Sequence, residues 1–191
     1  PKHAAISLTG EPTLYGHLGE LISAFHRREF TTFLVSNGTM PSVLGKLSEE
    51  PSQLYISVCA SDKETFKQTC RPQISRAWEK LNETLALLPS FRCPTVIRIT
   101  SLRGLNMKNT KGYARLIGKA NPTYVEPKAY MHVGFSRLRL GYESMPNWRE
   151  ICAFAAQLAK ETGYRIVDES KESRVVLLTR LEMPKKLGDA S

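Results

Sequence analysis

Apolar residues recur along this chain in two rhythms, and the rhythms alternate. Short runs rich in Val, Ile, Leu, Phe and Tyr predict strands at about 4–9, 31–36, 53–58, 94–101, 123–130 and 164–168, with a last one at 173–179. Between them apolar residues return at helical spacing, predicting helices at about 14–28, 41–48, 62–69, 74–88, 109–120 and 147–162. Leu14, Leu18, Leu21, Ile22 and Phe25 form one such stripe. Trp78, Leu81, Leu85 and Leu88 form another, and Ile151, Phe154, Ala155 and Leu158 a third. Such stripes are core and carry no chemistry. Alternating strands and helices define an α/β chain with a parallel sheet. The stretch from Tyr164 to Leu178 departs from this order. Its two β-rich runs are separated only by Glu169-Ser170-Lys171-Glu172, which predicts a hairpin or tight connection. Residues 1–180 read as a single domain, and 181–191, with Pro184 and Gly188, as a flexible tail.

Composition narrows the class. A hydrophobic fraction of 41% over 191 residues suits one soluble globular domain. No run approaches the ~18 apolar residues of a membrane span. Lys and Arg total 27 against 18 Asp and Glu, a net +9 that attracts polyanions, with RNA the natural candidate. A generally basic proteome, or an acidic portion lying outside this chain, would give the same balance. Cys59, Cys70, Cys93 and Cys152 are separated by 11, 23 and 59 positions, which is neither a disulfide framework nor metal-ligand spacing. Reduced thiols in the cytoplasm are the expectation.

In α/β folds the ligand sits at the carboxyl ends of the parallel strands. Those ends deliver Thr9, Gly10 and Glu11, then Ser36 and Asn37, then Ser57 and Cys59. Thr100 and Arg103 follow, then Lys128, Tyr130 and His132, and finally Asp168 and Glu169. The set is polar and mixed in charge where the strand interiors are apolar. Glycine lets backbone approach a ligand closely, and a carboxylate accepts hydrogen bonds from an amine. Asn37 either bonds a ligand or is simply the turn residue before Gly38. His132 suits proton transfer, or packing. Arg98, inside a β-branched strand, needs an acceptor, with Glu126 on the neighbouring strand the candidate. Pro127 removes a ladder donor, so local bending that misaims Glu126 and Lys128 is expected. The loop Gly134–Leu140 holds Phe135, Arg137 and Arg139, and with Arg71, Lys108, Lys111 and Lys119 it either engages phosphates or is a solvated basic surface. The apolar first strand, if at a sheet edge, is an aggregation liability.

Several of these segments occur in an order that carries information of its own. Gly10-Glu11-Pro12-Thr13-Leu14-Tyr15, Phe33-Leu34-Val35-Ser36-Asn37-Gly38, Gln53-Leu54-Tyr55-Ile56-Ser57 and Cys70-Arg71-Pro72 come first. Val96-Ile97-Arg98-Ile99-Thr100, Lys128-Ala129-Tyr130-Met131-His132-Val133-Gly134 and Asp168-Glu169-Ser170 follow. Together they closely resemble the radical S-adenosylmethionine enzymes that make the wyosine base of phenylalanine tRNA, the 4-demethylwyosine synthases, in their archaeal single-domain form. The resemblance implies a partial (β/α)6 TIM-like barrel, here with its first strand and cluster loop absent. It implies a carbon–carbon lyase using S-adenosylmethionine and a 4Fe-4S cluster to build 4-demethylwyosine from N1-methylguanosine and pyruvate in tRNA-Phe. Gly10 and Glu11 resemble the family's motif for the methionyl amine, and Asn37 and Ser57 its further cofactor contacts. Glu126, Lys128 and Tyr130 would face the substrate, the last two as a cation and an aromatic surface. No metal ligand is expected within this chain, because the Cys-x3-Cys-x2-Cys loop is missing, and the chain alone is expected to be inactive. It also departs from the family pattern. Cys59 stands where the family has Asp, Pro127 where it has a β-branched residue, Arg103 where it usually has Lys, and Trp148 lies in a segment that otherwise contains histidine. A non-catalytic RNA-binding remnant, or a radical enzyme acting on another substrate, are the alternatives.

Overall fold

The computed structural model describes residues 2–7 and 10–184. Seven strands form one sheet: β1 (His3–Ile6), β2 (Thr31–Ser36), β3 (Gln53–Ser57), β4 (Thr95–Ser101), β5 (Tyr124–Ala129), β6 (Arg165–Ser170) and β7 (Val175–Thr179). Their order is β1-β2-β3-β4-β5-β7-β6. The first five pair in parallel, each to its successor. The predicted hairpin is present: β7 runs antiparallel to both β5 and β6. Six helices connect the strands, α1 (Leu18–His26), α2 (Pro41–Leu44), α3 (Lys63–Cys70), α4 (Ala77–Leu87), α5 (Thr110–Ala120) and α6 (Trp148–Thr162).

Alternation within each strand divides the sheet faces. Leu34, Leu54, Ile56, Ile97, Ile99, Val125, Val176 and Leu178 are buried in one core with Ile22, Leu81, Leu85, Ile117, Ile151 and Leu158 from the helices. The opposite face carries a transverse row. The His3 and Phe33 rings lie 6.1 Å apart and Phe33 and Tyr55 6.5 Å. The Arg98 guanidinium stacks 4.5 Å from the Tyr55 ring centre, and its Nε donates to Glu126 Oε1 at 2.7 Å. The expected Arg98–Glu126 pair is therefore made. So Glu126 is not misaimed, and the register of β5 on β4 runs through Pro127 without a shift. The missing donor shows on the other side, where the β5–β7 ladder lapses between Val125 and Lys128.

Helix boundaries moved for local reasons. In place of a helix over 14–28, a 3-10 turn at Pro12–Leu14 ends in extended backbone at Tyr15, and α1 begins at Leu18. Leu14 consequently leaves the apolar stripe and is 71% exposed. The helix expected over 41–48 is the single turn of α2, and α4 starts three residues late because Arg76 is left-handed at φ 55°. The predicted ends at Thr9 and in the 185–191 tail lie outside the described residues.

Candidate functional site

At the carboxyl end of the sheet, Gly10 takes φ +84° with open space where a Cβ would stand, turning the chain so that Glu11 points across to β2. Glu11 Oε1 accepts from Thr13 N at 3.2 Å, Thr13 Oγ1 at 2.7 Å and Ser36 Oγ at 2.7 Å, and Oε2 accepts from Asn37 N at 2.7 Å. One carboxylate thus caps the 3-10 turn and fixes the end of β2. Oε2, with one partner among the described residues, keeps lone-pair capacity. Asn37 Oδ1 accepts from Thr39 N and Thr39 Oγ1, at 2.9 and 2.6 Å. That turns the Asn37 amide group, which donates to no partner among the described residues, outward. Gly38 follows at φ +72°, where a Cβ would stand 2.8 Å from Leu81 Cδ1, so only glycine fits against α4. Ser57, at the end of β3, has a hydroxyl with no protein partner among the described residues.

These groups meet in one cavity of about 400 Å³. Its walls include Glu11, Asn37, Ser57, Cys59, Phe66 and Cys70, and its rim includes Leu14 and Ile74. Cys59 and Cys70, remote in the reading of cysteine spacing, are neighbours here. The neighbouring Cys70 thiol draws the Cys59 thiol down to about 7 against the effect of burial. The Thr100 backbone and side chain support the same shift. The same contact pushes the Cys70 thiol up.

The residues read as substrate-facing are placed differently. Glu126 is held by Arg98 beneath Tyr55, whose hydroxyl is pushed up to about 12 by burial and then by the Glu126 charge. With Asp168 and Glu169 it lines a smaller hollow of about 200 Å³. Lys128 is partly buried on the same strand and takes part in no ion pair among the described residues. Tyr130 is not an open aromatic surface. It is buried with Leu102 and Met145 in a second small core, and its hydroxyl lacks a partner. Arg103 turns away from the mouth to Glu150, donating from Nε at 2.7 Å and from Nη2 to the second oxygen. Phe135, at 90% exposure, stands out on the basic loop.

Asn106 is the residue the sequence did not reveal. Fully buried, it accepts from Leu102 N at 2.7 Å and donates to Cys59 O at 2.9 Å and Thr100 O at 2.8 Å. It clamps the ends of β3 and β4 beside the cavity. A lone asparagine in a loop after a strand carries no periodic signal that would distinguish it.

A family model for wyosine base formation matches residues 119–180. The S-adenosyl-L-methionine-dependent tRNA 4-demethylwyosine synthase of Pyrococcus abyssi is 48% identical over 184 residues, 94% of this chain and 54% of the relative. That of Methanocaldococcus jannaschii is 44% identical over 93% of this chain and 56% of its own length. A structure of TYW1 with a lysine-pyruvate adduct bound superposes with a TM-score of 0.86 at 42% identity, covering 94% of this chain and 57% of that one. Coproporphyrinogen III oxidase from Escherichia coli, a radical SAM enzyme, shares the fold at a TM-score of 0.59 and 14% identity. The sheet and its carboxyl-end cavity therefore define the class, a partial barrel of the radical S-adenosylmethionine type. Within that class, the chain is similar to the archaeal tRNA 4-demethylwyosine synthases and spans about half the length of the relatives it matches.

Proposed function

We propose that this chain forms the S-adenosylmethionine-holding wall of a cytoplasmic enzyme that makes 4-demethylwyosine from N1-methylguanosine and pyruvate in tRNA-Phe. The observation that carries the reading is the cavity itself, which gathers Glu11, Asn37 and Ser57 from three strand ends. Their spare chemistry suits the cofactor. Glu11 Oε2 has room for an ammonium, the Asn37 amide for a carboxylate or ribose, and the Ser57 hydroxyl for either. Gly10, exposed and with open space where a Cβ would stand, lets the same amine approach its backbone. When bound, S-adenosylmethionine supplies an adenosyl radical for hydrogen abstraction. The chain's own part is to hold that cofactor with groups already fixed by neighbours, so that little ordering is needed on binding. A 4Fe-4S cluster does not fit the described residues, which hold no group of three metal-capable side chains. On the substrate side, Glu126 and Lys128 belong to the inner face, while the buried Tyr130 supports the Leu102–Met145 wall. The net +9 charge and the arginines of the 134–138 turn and its border favour the tRNA backbone as partner.

Titration of the full-length protein with S-adenosylmethionine and with tRNA separates the roles. Glu11→Gln is expected to weaken cofactor binding roughly 10- to 100-fold, the scale of one charge-assisted hydrogen bond, with tRNA affinity kept. Asn37→Ala, which spares the Glu11 carboxylate, should weaken the cofactor as well. Unchanged cofactor affinity with impaired tRNA binding would assign this wall to the substrate instead.

A further inference from the structure

The Cys59–Cys70 contact serves neither the fold nor the cofactor reading. Cys59 lies partly buried beyond the end of β3, and Cys70 lies exposed in the last turn of α3. Both line the 400 Å³ cavity, so a small molecule that enters it meets both sulfurs. We propose that Cys59 and Cys70 are a redox modification site that low-molecular-weight disulfides such as glutathione disulfide convert to an intramolecular disulfide across the cavity wall.

Each sulfur has a part that its surroundings select. Cys59 faces Cys70 across the same cavity wall, and with Thr100 beside it the polar surroundings favour its thiolate. Cys70, in the last turn of α3, keeps its proton because the adjacent Cys59 and then burial push its thiol up. The Cys59 thiolate attacks one sulfur of the entering disulfide and expels one thiolate, which takes up a proton from water. Cys70, as its proton leaves to solvent, then attacks the Cys59 sulfur of the mixed disulfide and releases the second small thiol. Two protein thiols are oxidised and one external disulfide is reduced to two thiols. Arg139, whose charge reaches Cys70, and Arg71, next in sequence, favour an anionic oxidant at this mouth. The other two cysteines are built to be inert. Cys93 is pushed up to about 12 by burial and the Glu50 charge, and Cys152 is raised by burial.

Because the cross-link ties the end of α3 to β3 inside the cavity, its effect on S-adenosylmethionine rests on the cofactor reading above. The bond itself does not. Full-length protein, purified reduced, is treated with glutathione disulfide, capped with an alkylating agent and digested with trypsin. Cleavage after Lys63 and Lys67 leaves the two cysteines on separate peptides joined only if the bond has formed. The 59–70 linked pair is expected as the main product, and Cys70→Ser should trap the glutathione adduct on Cys59. At neutral pH Cys59 should alkylate about tenfold or more faster than Cys93. Glutathione remaining on single cysteines of the unmutated protein, or equal oxidation of Cys93 and Cys152, would overturn the site. The oxidised protein should bind S-adenosylmethionine at least about tenfold more weakly, with recovery on reduction. A linked form that binds the cofactor as tightly as the reduced one would overturn the blockade. Reduced protein that does not bind it at all would overturn the cofactor reading and leave the thiol pair standing.

Discussion

Asn106 places three hydrogen bonds between elements that have no covalent reason to stay together. Asn106→Leu fills similar volume but orphans one buried N–H and two carbonyls. A loss of roughly 2–4 kcal/mol is expected, since each unmade buried bond costs on the order of 1 kcal/mol or more. Urea denaturation measures it. Arg98 poses a different problem. Arg98→Met strands the Glu126 carboxylate, whose side chain is only 12% exposed, and should cost roughly 3 kcal/mol. Arg98→Met combined with Glu126→Leu should recover most of that, so a double-mutant cycle on the same denaturation curves isolates the pair. The two residues also mark what sequence could reveal at this scale. A charge among β-branched neighbours advertises its need of a partner, and the partner sat one strand away in the predicted order. Asn106 advertises nothing, because its bonds go to backbone carbonyls 6 and 47 positions distant, which no side-chain pattern records.

Helix starts obey the same logic one level up. Asp62 caps α3, its Oδ1 accepting from Thr65 N at 2.9 Å, and that bond with those from Ser61 and Thr65 Oγ1 holds its carboxyl down to about 2. The folded value lies below the ordinary 3.8, so the capping contribution is complete above about pH 4 and is lost as pH falls toward 2. Asp62→Asn keeps an acceptor without the titration. Acid unfolding of the variant, followed by circular dichroism, should show a shallower loss over that interval than the parent. Asp62→Ala, lacking both, should cost about 1 kcal/mol at neutral pH. Strands and long helices were legible because their apolar period spans many residues. The breaks were not. Tyr15 in extended backbone and Arg76 in the left-handed region are single-residue events set by neighbours, the former by the Glu11–Thr13 cap and the latter by the approach to Ala77.

At the scale of the molecule, the two borders of the sheet differ. β6 exposes Arg165, Asp168 and Glu169, charges that discourage pairing with another chain. β1, His3–Ile6, carries no acidic or basic side chain beyond histidine and pairs only with β2. Ala5→Lys should therefore suppress light scattering by the 191-residue chain on storage, with its melting temperature unchanged. A larger effect from a lysine placed on β6 would misassign the sticky border. Treatment of the same 191-residue chain with iron and sulfide under anaerobic conditions should leave less than about one iron per molecule, because three converging thiolates are needed. Retention of about four irons, abolished by Cys59→Ala, would contradict that. The site was half legible at this scale. Strand-end counting put Glu11, Asn37 and Ser57 on one rim, where a single cavity gathers them, since parallel strands bring their carboxyl ends to one side. It did not anticipate the burial of Tyr130 or the turn of Arg103 to Glu150, because both lie past the strand ends, where loops choose their own direction.

The row from His3 through Phe33, Tyr55 and Arg98 to Glu126 crosses five strands on a diagonal, stepping two residues forward at each of its first three crossings. Its members are far apart in sequence, yet each rests on the next, so a nudge delivered at one border travels sideways without passing along any backbone. Tyr55 stands in the middle and acts as a built-in gauge. Gripped between Phe33 and the Arg98 plane, its ring should flip slowly and give broadened aromatic proton signals in nuclear magnetic resonance. Glu126→Gln slackens Arg98, and the Tyr55 lines should sharpen although the substitution lies two strands away.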